Sequence, residues 1–424
     1  MSKNPPSKNI FQDQQTGQDF STELSKRHRK ARTWLIIFQI STIVGILALS
    51  ALLYNIINDS AGFVAFKTKN DPNQVTGGVP LSELSREQLL EILQNKLTPN
   101  RYRTIEKEKP FIDRSDSNLL EIVNSEIIKP TVEHTWSLTE SFLGRKEIIQ
   151  TVIDDYPGAY LQFRVWLSKD FITTPQSSDP MIAGIKTAIL GSLWIIFITI
   201  MIAFPIGVGA AVYLEEYADT ERWINRIIQV NINNLAAVPS IIYGILGLTI
   251  FVRILEPLTS GSIFGFSDPS TANGRTILAG GLTLAILVLP IIIINAQEAI
   301  RTVPNSLRQA SYGMGATKWQ TVWFHVLPNA IPGILTGTIL AFSRAFGETA
   351  PLIVVGVSTY ITVNPTNIFS KFTTLPAQIY QWTARPQDEW RSLAAAAIII
   401  LLILLISLNA VAIILRNKYA RQYV

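Results

Sequence analysis

The 424-residue sequence has no cysteine, which removes disulfides, thiolate catalysis and cysteine-ligated metals together. Histidine is almost as scarce. His28, His134 and His325 lie far apart with no H-x-x-x-H pair, so no histidine-rich metal site is expected. Charge is thin as well: 16% of residues are charged, against about 25% in an ordinary globular protein. The dipeptide Gly-Lys never occurs. Without a G-x-x-x-x-G-K-[ST] loop to cradle phosphates, the chain is not expected to hydrolyse ATP itself. What is abundant is apolar: 48% of residues are hydrophobic and the mean hydropathy is +0.27. Because these residues form uninterrupted blocks, disorder, a fibre and a cytosolic enzyme are all excluded.

About 20 apolar residues cross the hydrocarbon core of a bilayer. Six blocks meet that length, at 34–57, 182–213, 227–252, 277–294, 330–357 and 393–415. The first is too deep in the chain and too long for a cleaved signal peptide, so it reads as an anchor. Lys26, Arg27, Arg29, Lys30 and Arg32 precede it. This run is a topology signal rather than a nucleic-acid patch, because it abuts a span, and it puts the N-terminus in the cytoplasm. Six crossings return the C-terminus there, where Arg416, Lys418 and Arg421 agree. The divisions expected are a cytoplasmic tail (1–33), a first span (34–57), an extracytoplasmic insert (58–180), a permease core (181–416) and a cytoplasmic tail (417–424).

The insert is long enough for a small α/β domain with its own core. Within it, Ser85 with Gln88 three residues on forms a capping signature, followed by a stripe of Leu89, Leu90, Leu93 and Leu97. Residues 160–166 alternate weakly, as a strand does. No catalytic constellation stands out there. Lys186 and the pair Glu215–Glu216 read as solvation at span ends. Pro205, Pro239 and Pro290 fall in or at the ends of spans, where each removes a backbone hydrogen bond and can serve as a hinge.

Between the fourth and fifth blocks, residues 298–328 spell a helix–turn–helix outside the membrane. Pro304 suits a first helical turn, Gly313 and Gly315 permit a sharp turn, Thr317 can cap a second helix, and Pro328 marks the start of the fifth span. The stretch resembles the EAA motif of ABC-importer permeases, with Gln309-Ala310-Ser311, Gly315 and His325-x-Leu327-Pro328 at its spacings. Gln309 replaces Glu, Ser311 replaces Ala and His325 replaces Ile. The resemblance implies that this loop, through Gln309, Ala310, Ser311, Gly315, Ala316, Thr317 and Lys318, docks on an ATPase subunit.

Three further strings resemble phosphate-importer permeases: 204–217 (FPIGVGAAVYLEEY), 234–244 (NLAAVPSIIYG) and 346–352 (FGETAPL). Residues 375–380 (LPAQIY) and the last span resemble the PstA-type subunit. That resemblance covers 182 to the C-terminus and implies an all-α, six-span MetI-like fold in a bacterial inner membrane. It also implies partners: a homologous second permease, two ATPase subunits holding ATP and Mg²⁺, and an extracytoplasmic phosphate-binding protein, in contact with lipid and with no nucleic acid. The chain itself would be a permease rather than an enzyme and would bind no cofactor or metal.

The residues give an independent reason to expect an anion. Arg344 and Glu348 lie one helical turn apart inside the fifth block, and ionisable groups at membrane depth usually face a pathway or a partner. A guanidinium fork matches a tetrahedral oxyanion. Phosphate still carries a proton near neutral pH that Glu348 can accept as a hydrogen bond, whereas sulfate meets repulsion. Ser343 and Thr349 are adjacent polar candidates. The alternatives are a structural ion pair, a permease of the same fold for sulfate, molybdate or a small solute, and a non-conducting membrane sensor with the insert as its sensing part.

Overall fold

The computed structural model describes residues 17–68, 70, 75–76, 79, 83–108, 110–128, 130–219, 221–265, 274–358 and 360–420. Residues 1–16 of the N-terminal tail and 421–424 of the C-terminal tail, with Arg421, lie outside them. The chain divides into two compact units, Met1–Ile56 and Ile57–Val424. The described part of the first is most of the helix α1 (Gly17–Asp59), whose apolar stretch 34–55 is exposed. The basic run expected to precede the span is already helical.

In the second unit a three-stranded antiparallel sheet places β1 (Ala61–Thr68) between β2 (Pro130–Thr135) and β3 (Tyr160–Val165). Between β1 and β2 come α2 (Arg86–Lys96), α3 (Pro99–Glu108) and α4 (Asp116–Ile122). Ser85 and Gln88 form the capping box expected at α2, and Leu89 and Leu93 are buried on its inner stripe with Ile105, Phe111 and Leu119. Next in the chain are α5 (Leu138–Leu143) and α6 (Arg145–Asp155), with α7 (Lys169–Thr173) after β3.

The insert holds a buried cluster of its own around Leu89, Leu93, Ile105 and Leu119, but its sheet is shared with the rest of the chain. Ile148 and Val152 of α6 pack with Ala65 in a separate cluster, but Val64 and Phe66 on β1 share a core with Trp166, Phe171, Trp382 and Trp390. Rings link across it, Phe171 to Trp382 at 6.0 Å and Trp382 to Trp390 at 5.9 Å. The sheet is therefore welded to the membrane helices that follow it. Because both faces of β1 are covered, its residues do not alternate, and the sequence showed no strand there.

The helices that follow are α8 (Lys186–Val212), α9 (Trp223–Ala236), α10 (Ser240–Gly247), α11 (Glu256–Thr259), α12 (Ile277–Arg301), α13 (Asn305–Gly313), α14 (Lys318–Thr321), α15 (Leu327–Gly347), α16 (Ala350–Val355), α17 (Leu375–Thr383) and α18 (Asp388–Ala420). Five helices in the described residues are long and apolar enough to span a membrane, or six if the bent pair α9 and α10 counts as one. The fold is thus the expected all-α membrane bundle with one small sheet. Small residues line its crossings: Ala203 of α8, Ala285 of α12, Ala341 and Ala345 of α15, and Ala394, Ala396 and Ala397 of α18 are buried together. Without a hydrophobic drive between helices in lipid, such close backbone approach supplies the packing energy.

Two spans differ from their expected form. The block 227–252 is not one rod: it breaks at Pro239, and its halves meet at 106°. Pro239 is therefore a corner, whereas Pro205 and Pro290 sit inside unbroken helices. The block 330–357 starts earlier and ends earlier than expected. Its helical run begins at Lys318, continues through a π-helical turn at Val322–Val326, and stops at Gly347. Pro328 stands in the first turn of α15, and the π-helical turn before it continues the run back to Lys318.

At Gly244 of α10 the backbone approaches α16 so closely that a Cβ would lie 2.7 Å from Pro351 Cα. Neither helix can yield there. Gly244→Val is expected to destabilise the fold by about 1–3 kcal/mol and to displace α16. Thermal unfolding of the detergent-purified protein measures the first effect.

Candidate functional site

Two groups of residues matter, at opposite ends of α15. The first is Arg344, in the last turn of that helix. It sits on an exposed stripe with Thr336 and Leu340, its own side chain 52% exposed. Glu348 is not one turn further along the same helix, as the sequence suggested. It caps the helix in extended backbone (φ −74°, ψ 123°), and Thr349 leads directly into α16. The pair still meets, with Arg344 Nε donating to Glu348 Oε1 at 3.4 Å. That bond is long, and the carboxylate is the sheltered partner, with a side chain 16% exposed. Much of the guanidinium remains available to an anion.

Ser343 does not join them. Its hydroxyl lies within hydrogen-bond distance of Asn409 Oδ1 of α18, at 2.6 Å, and of the carbonyl of Ile339, at 2.8 Å, so it links α15 to the last span. Its place beside Arg344 in sequence led to its being grouped with the pathway, but successive helical residues point about 100° apart.

The break at Glu348 carries a signal that the sequence reading missed. Pro351 cannot donate to the carbonyl of Gly347, four residues back, and its ring disfavours helix at Ala350. The string Gly347-Glu348-Thr349-Ala350-Pro351 therefore encodes a stop and restart, which lifts a carboxylate off the helix beside the arginine.

The second group is the elbow. Pro304 precedes α13 in extended backbone (ψ 135°) rather than occupying its first turn. Gly315 adopts φ +81°, a left-handed conformation that glycine enters without strain, and Thr317 caps α14 in a box with Gln320. Gln309, Ala310, Gly315, Thr317 and Lys318 are exposed, Ala316 is partly so, and Met314 projects at the tip, 89% exposed. Ser311 is different. It is buried, its hydroxyl 2.8 Å from Thr321 Oγ1, so it ties the two arms of the elbow together and presents nothing outward.

Glu215 and Glu216 also differ from expectation. Rather than solvating a span end, they anchor the elbow. They belong to a π-helical turn (Tyr213–Tyr217) that extends α8. Glu215 accepts two bonds from Arg301 at 2.7 and 2.9 Å. Glu216 accepts from Arg308 Nη2 at 2.7 Å and Nε at 3.1 Å, with both side chains sheltered, 15% and 6% exposed. Arg308 also donates to the carbonyls of Ile300 at 3.1 Å and Val303 at 2.7 Å, so it satisfies the last turn of α12 as well. One guanidinium thus joins α8, α12 and α13. Among the described residues no three His, Cys, Asp or Glu side chains are grouped to hold a metal.

Residues 203–421 match the family described as binding-protein-dependent transport system inner membrane component. The chain is 36% identical over 225 residues to the probable ABC transporter permease protein YqgI of Bacillus subtilis strain 168, which covers 50% of this chain and 71% of that protein. It is 33% identical over 237 residues to the phosphate transport system permease protein PstA of Xylella fastidiosa strain Temecula1, covering 55% and 76%. To the phosphate transport system permease protein PstC of Pasteurella multocida strain Pm70 it is 34% identical over 206 residues, covering 46% and 63%. The sheet and the helices before α8 fall outside the family match.

Proposed function

Since the chain belongs to the family of binding-protein-dependent transport system inner membrane components, we propose that it is the PstA-type permease subunit of an ATP-driven inorganic phosphate importer. The observation that carries this reading is Arg344, whose side chain at the end of α15 is half exposed. Left against hydrocarbon, such a charge costs upwards of about 2.5 kcal/mol. A water-filled path shared with a second, homologous permease removes that cost and gives the guanidinium an anion to bind. The similarity to both PstA and PstC supports such a heterodimer.

In this reading Arg344 takes the oxyanion, and Glu348 accepts a hydrogen bond from the proton that phosphate retains and sulfate lacks. Thr349 stands at the same break, able to offer a hydroxyl. The bond between Arg344 and Glu348 closes the site when it is empty and opens when the anion displaces the carboxylate. An extracytoplasmic phosphate-binding protein delivers the substrate.

Coupling runs through the opposite end of α15. Gln309, Ala310, Gly315 and Lys318, with Met314 at the tip, seat in one of two ATPase subunits, which hold ATP and Mg²⁺. From Lys318 to Arg344 the helical run is unbroken, so the elbow and the anion site are ends of one rod about 40 Å long at 1.5 Å per residue. Closure of the ATPase dimer draws the elbow inward, and the rod carries that displacement to Arg344. The corner at Pro239 is the proposed hinge, since there the backbone is already broken.

A permease for sulfate or molybdate would use the arginine and be opposed by the acid. In proteoliposomes holding the complete transporter, ATP should drive uptake of labelled phosphate and not of labelled sulfate. ATP-driven uptake of labelled sulfate would transfer the assignment to the wider oxyanion class. Absence of any ATP-dependent uptake would favour the sensor.

A further inference from the structure

A second anion site is suggested by a cavity of about 520 Å³ where the end of α16 meets α17. Its walls carry two cationic side chains, Arg275 and Lys371, and four side chains able to donate hydrogen bonds: Ser358, Tyr360, Tyr380 and Gln381. No Asp or Glu lines it among the described residues. The cavity is built by close packing. Gly356 ends α16 in a left-handed conformation (φ +111°), and a Cβ there would lie 2.5 Å from Arg275 Cδ. Only glycine therefore lets the arginine lie across the helix end. On the opposite wall the amide of Ser358 donates to the carbonyl of Phe372 at 2.9 Å, holding the segment that bears Lys371 beside it. Tyr360 and Tyr380 are exposed, so the cavity opens outward.

Its position gives it a role. Arg275 stands two residues before α12, whose far end leads into the elbow, so about 37 Å of helix separates the cavity from the ATPase-docking end. The cavity is thus at the face of the membrane opposite the elbow. The six residues of α16 connect it to Thr349 and Glu348, a rise of about 9 Å. We propose that this cavity is an outer receiving site for a tetrahedral oxyanion, one step before Arg344. The carbonyl end of α16 opposes an anion with at most about half a charge, against the cationic side chains of Arg275 and Lys371. Because no carboxylate is present among the described residues, the cavity does not distinguish a protonated oxyanion from an unprotonated one. It takes phosphate and sulfate alike, and selection falls to Glu348 further in. The proposal rests on the reading of the chain as an oxyanion permease.

The chain has no cysteine, so Gln381→Cys places a single reporter in the cavity wall. In membrane vesicles carrying the whole transporter, its modification by a cationic, membrane-impermeant methanethiosulfonate is followed by mass spectrometry of this chain. At constant ionic strength, inorganic phosphate at twice its dissociation constant should slow labelling about threefold by simple occupancy, and sulfate should do the same. Adding Arg275→Gln and Lys371→Gln should abolish protection, and the conservative pair Arg275→Lys and Lys371→Arg should retain it. Failure of both anions to protect, or protection that survives the double Gln variant, overturns the proposal. The Arg344→Gln variant separates the two readings. Protection with normal uptake by that variant leaves the outer site standing and removes the inner one. Loss of uptake without protection of the introduced thiol does the reverse.

Discussion

Arg344→Gln should reduce ATP-dependent phosphate uptake at least about 30-fold while leaving the transporter assembled. Hydrogen bonds to a charged group are worth roughly 1.5–3 kcal/mol, and about 2 kcal/mol lost at the anion is about 30-fold. Glutamine keeps most of the volume and a donor, so packing at the end of α15 is preserved and the loss reports charge. The buried neighbours Ala341, Ala345 and Phe346 face the other way and are untouched. Radiolabelled uptake in a strain without other phosphate importers, with co-purification of the partner chains as the control for assembly, measures it. Glu348→Gln should behave differently. An amide repels no sulfate, so phosphate uptake persists and labelled sulfate is carried as well.

The second large effect is at the other end of the rod. Glu216→Ala leaves Arg308 sheltered with only carbonyls and Asn305 to bond, and breaking such a buried pair costs about 3–5 kcal/mol. Because Arg308 joins α8, α12 and α13, the elbow should come loose from the bundle without losing its own internal fold. ATP hydrolysis by the complex should then continue without transport. The exchange Glu216→Arg with Arg308→Glu should recover part of the coupling, since the pair is restored in reverse while the carbonyl bonds of Arg308 are not. Glu215→Ala should cost far less, at most about 1 kcal/mol, because its partner Arg301 is half exposed and also bonded to Glu298. Uptake and phosphate release, measured together on the same proteoliposomes, separate these outcomes.

Much of this was legible in the sequence, and the residues that were not share a reason. The apolar blocks, the box at Thr317, the left-handed turn at Gly315 and the cap at Ser85 are local, and each is written within a few neighbouring residues. Glu216 and Arg308 are 92 residues apart, and Glu215 and Arg301 are 86 apart. Nothing in their spacing shows that a helix end brings them together, so the acids read as solvated. The same is true of β1, whose second face is covered by tryptophans from α17 and α18. The stop at Gly347 is a different case: Pro351 announced it, but a hydropathy window runs over a proline without registering it. That oversight placed Glu348 on the wrong backbone yet beside the right arginine, because capping and helical geometries both bring residues four apart within reach. Ser343 shows the converse, since adjacency in sequence put it with Arg344 while the helix turned it toward Asn409.

The central claim is that Arg344 stands in water within the membrane, and its accessibility tests this most directly. Arg344→Cys introduces the chain's single thiol, whose reaction with a small hydrophilic reagent can be followed in vesicles with and without ATP and vanadate. The account predicts reaction in at least one state and a rate that changes when the nucleotide state is trapped. A thiol that ignores hydrophilic reagents in every state, yet reacts with a lipid-soluble maleimide, would place this position against acyl chains and contradict it.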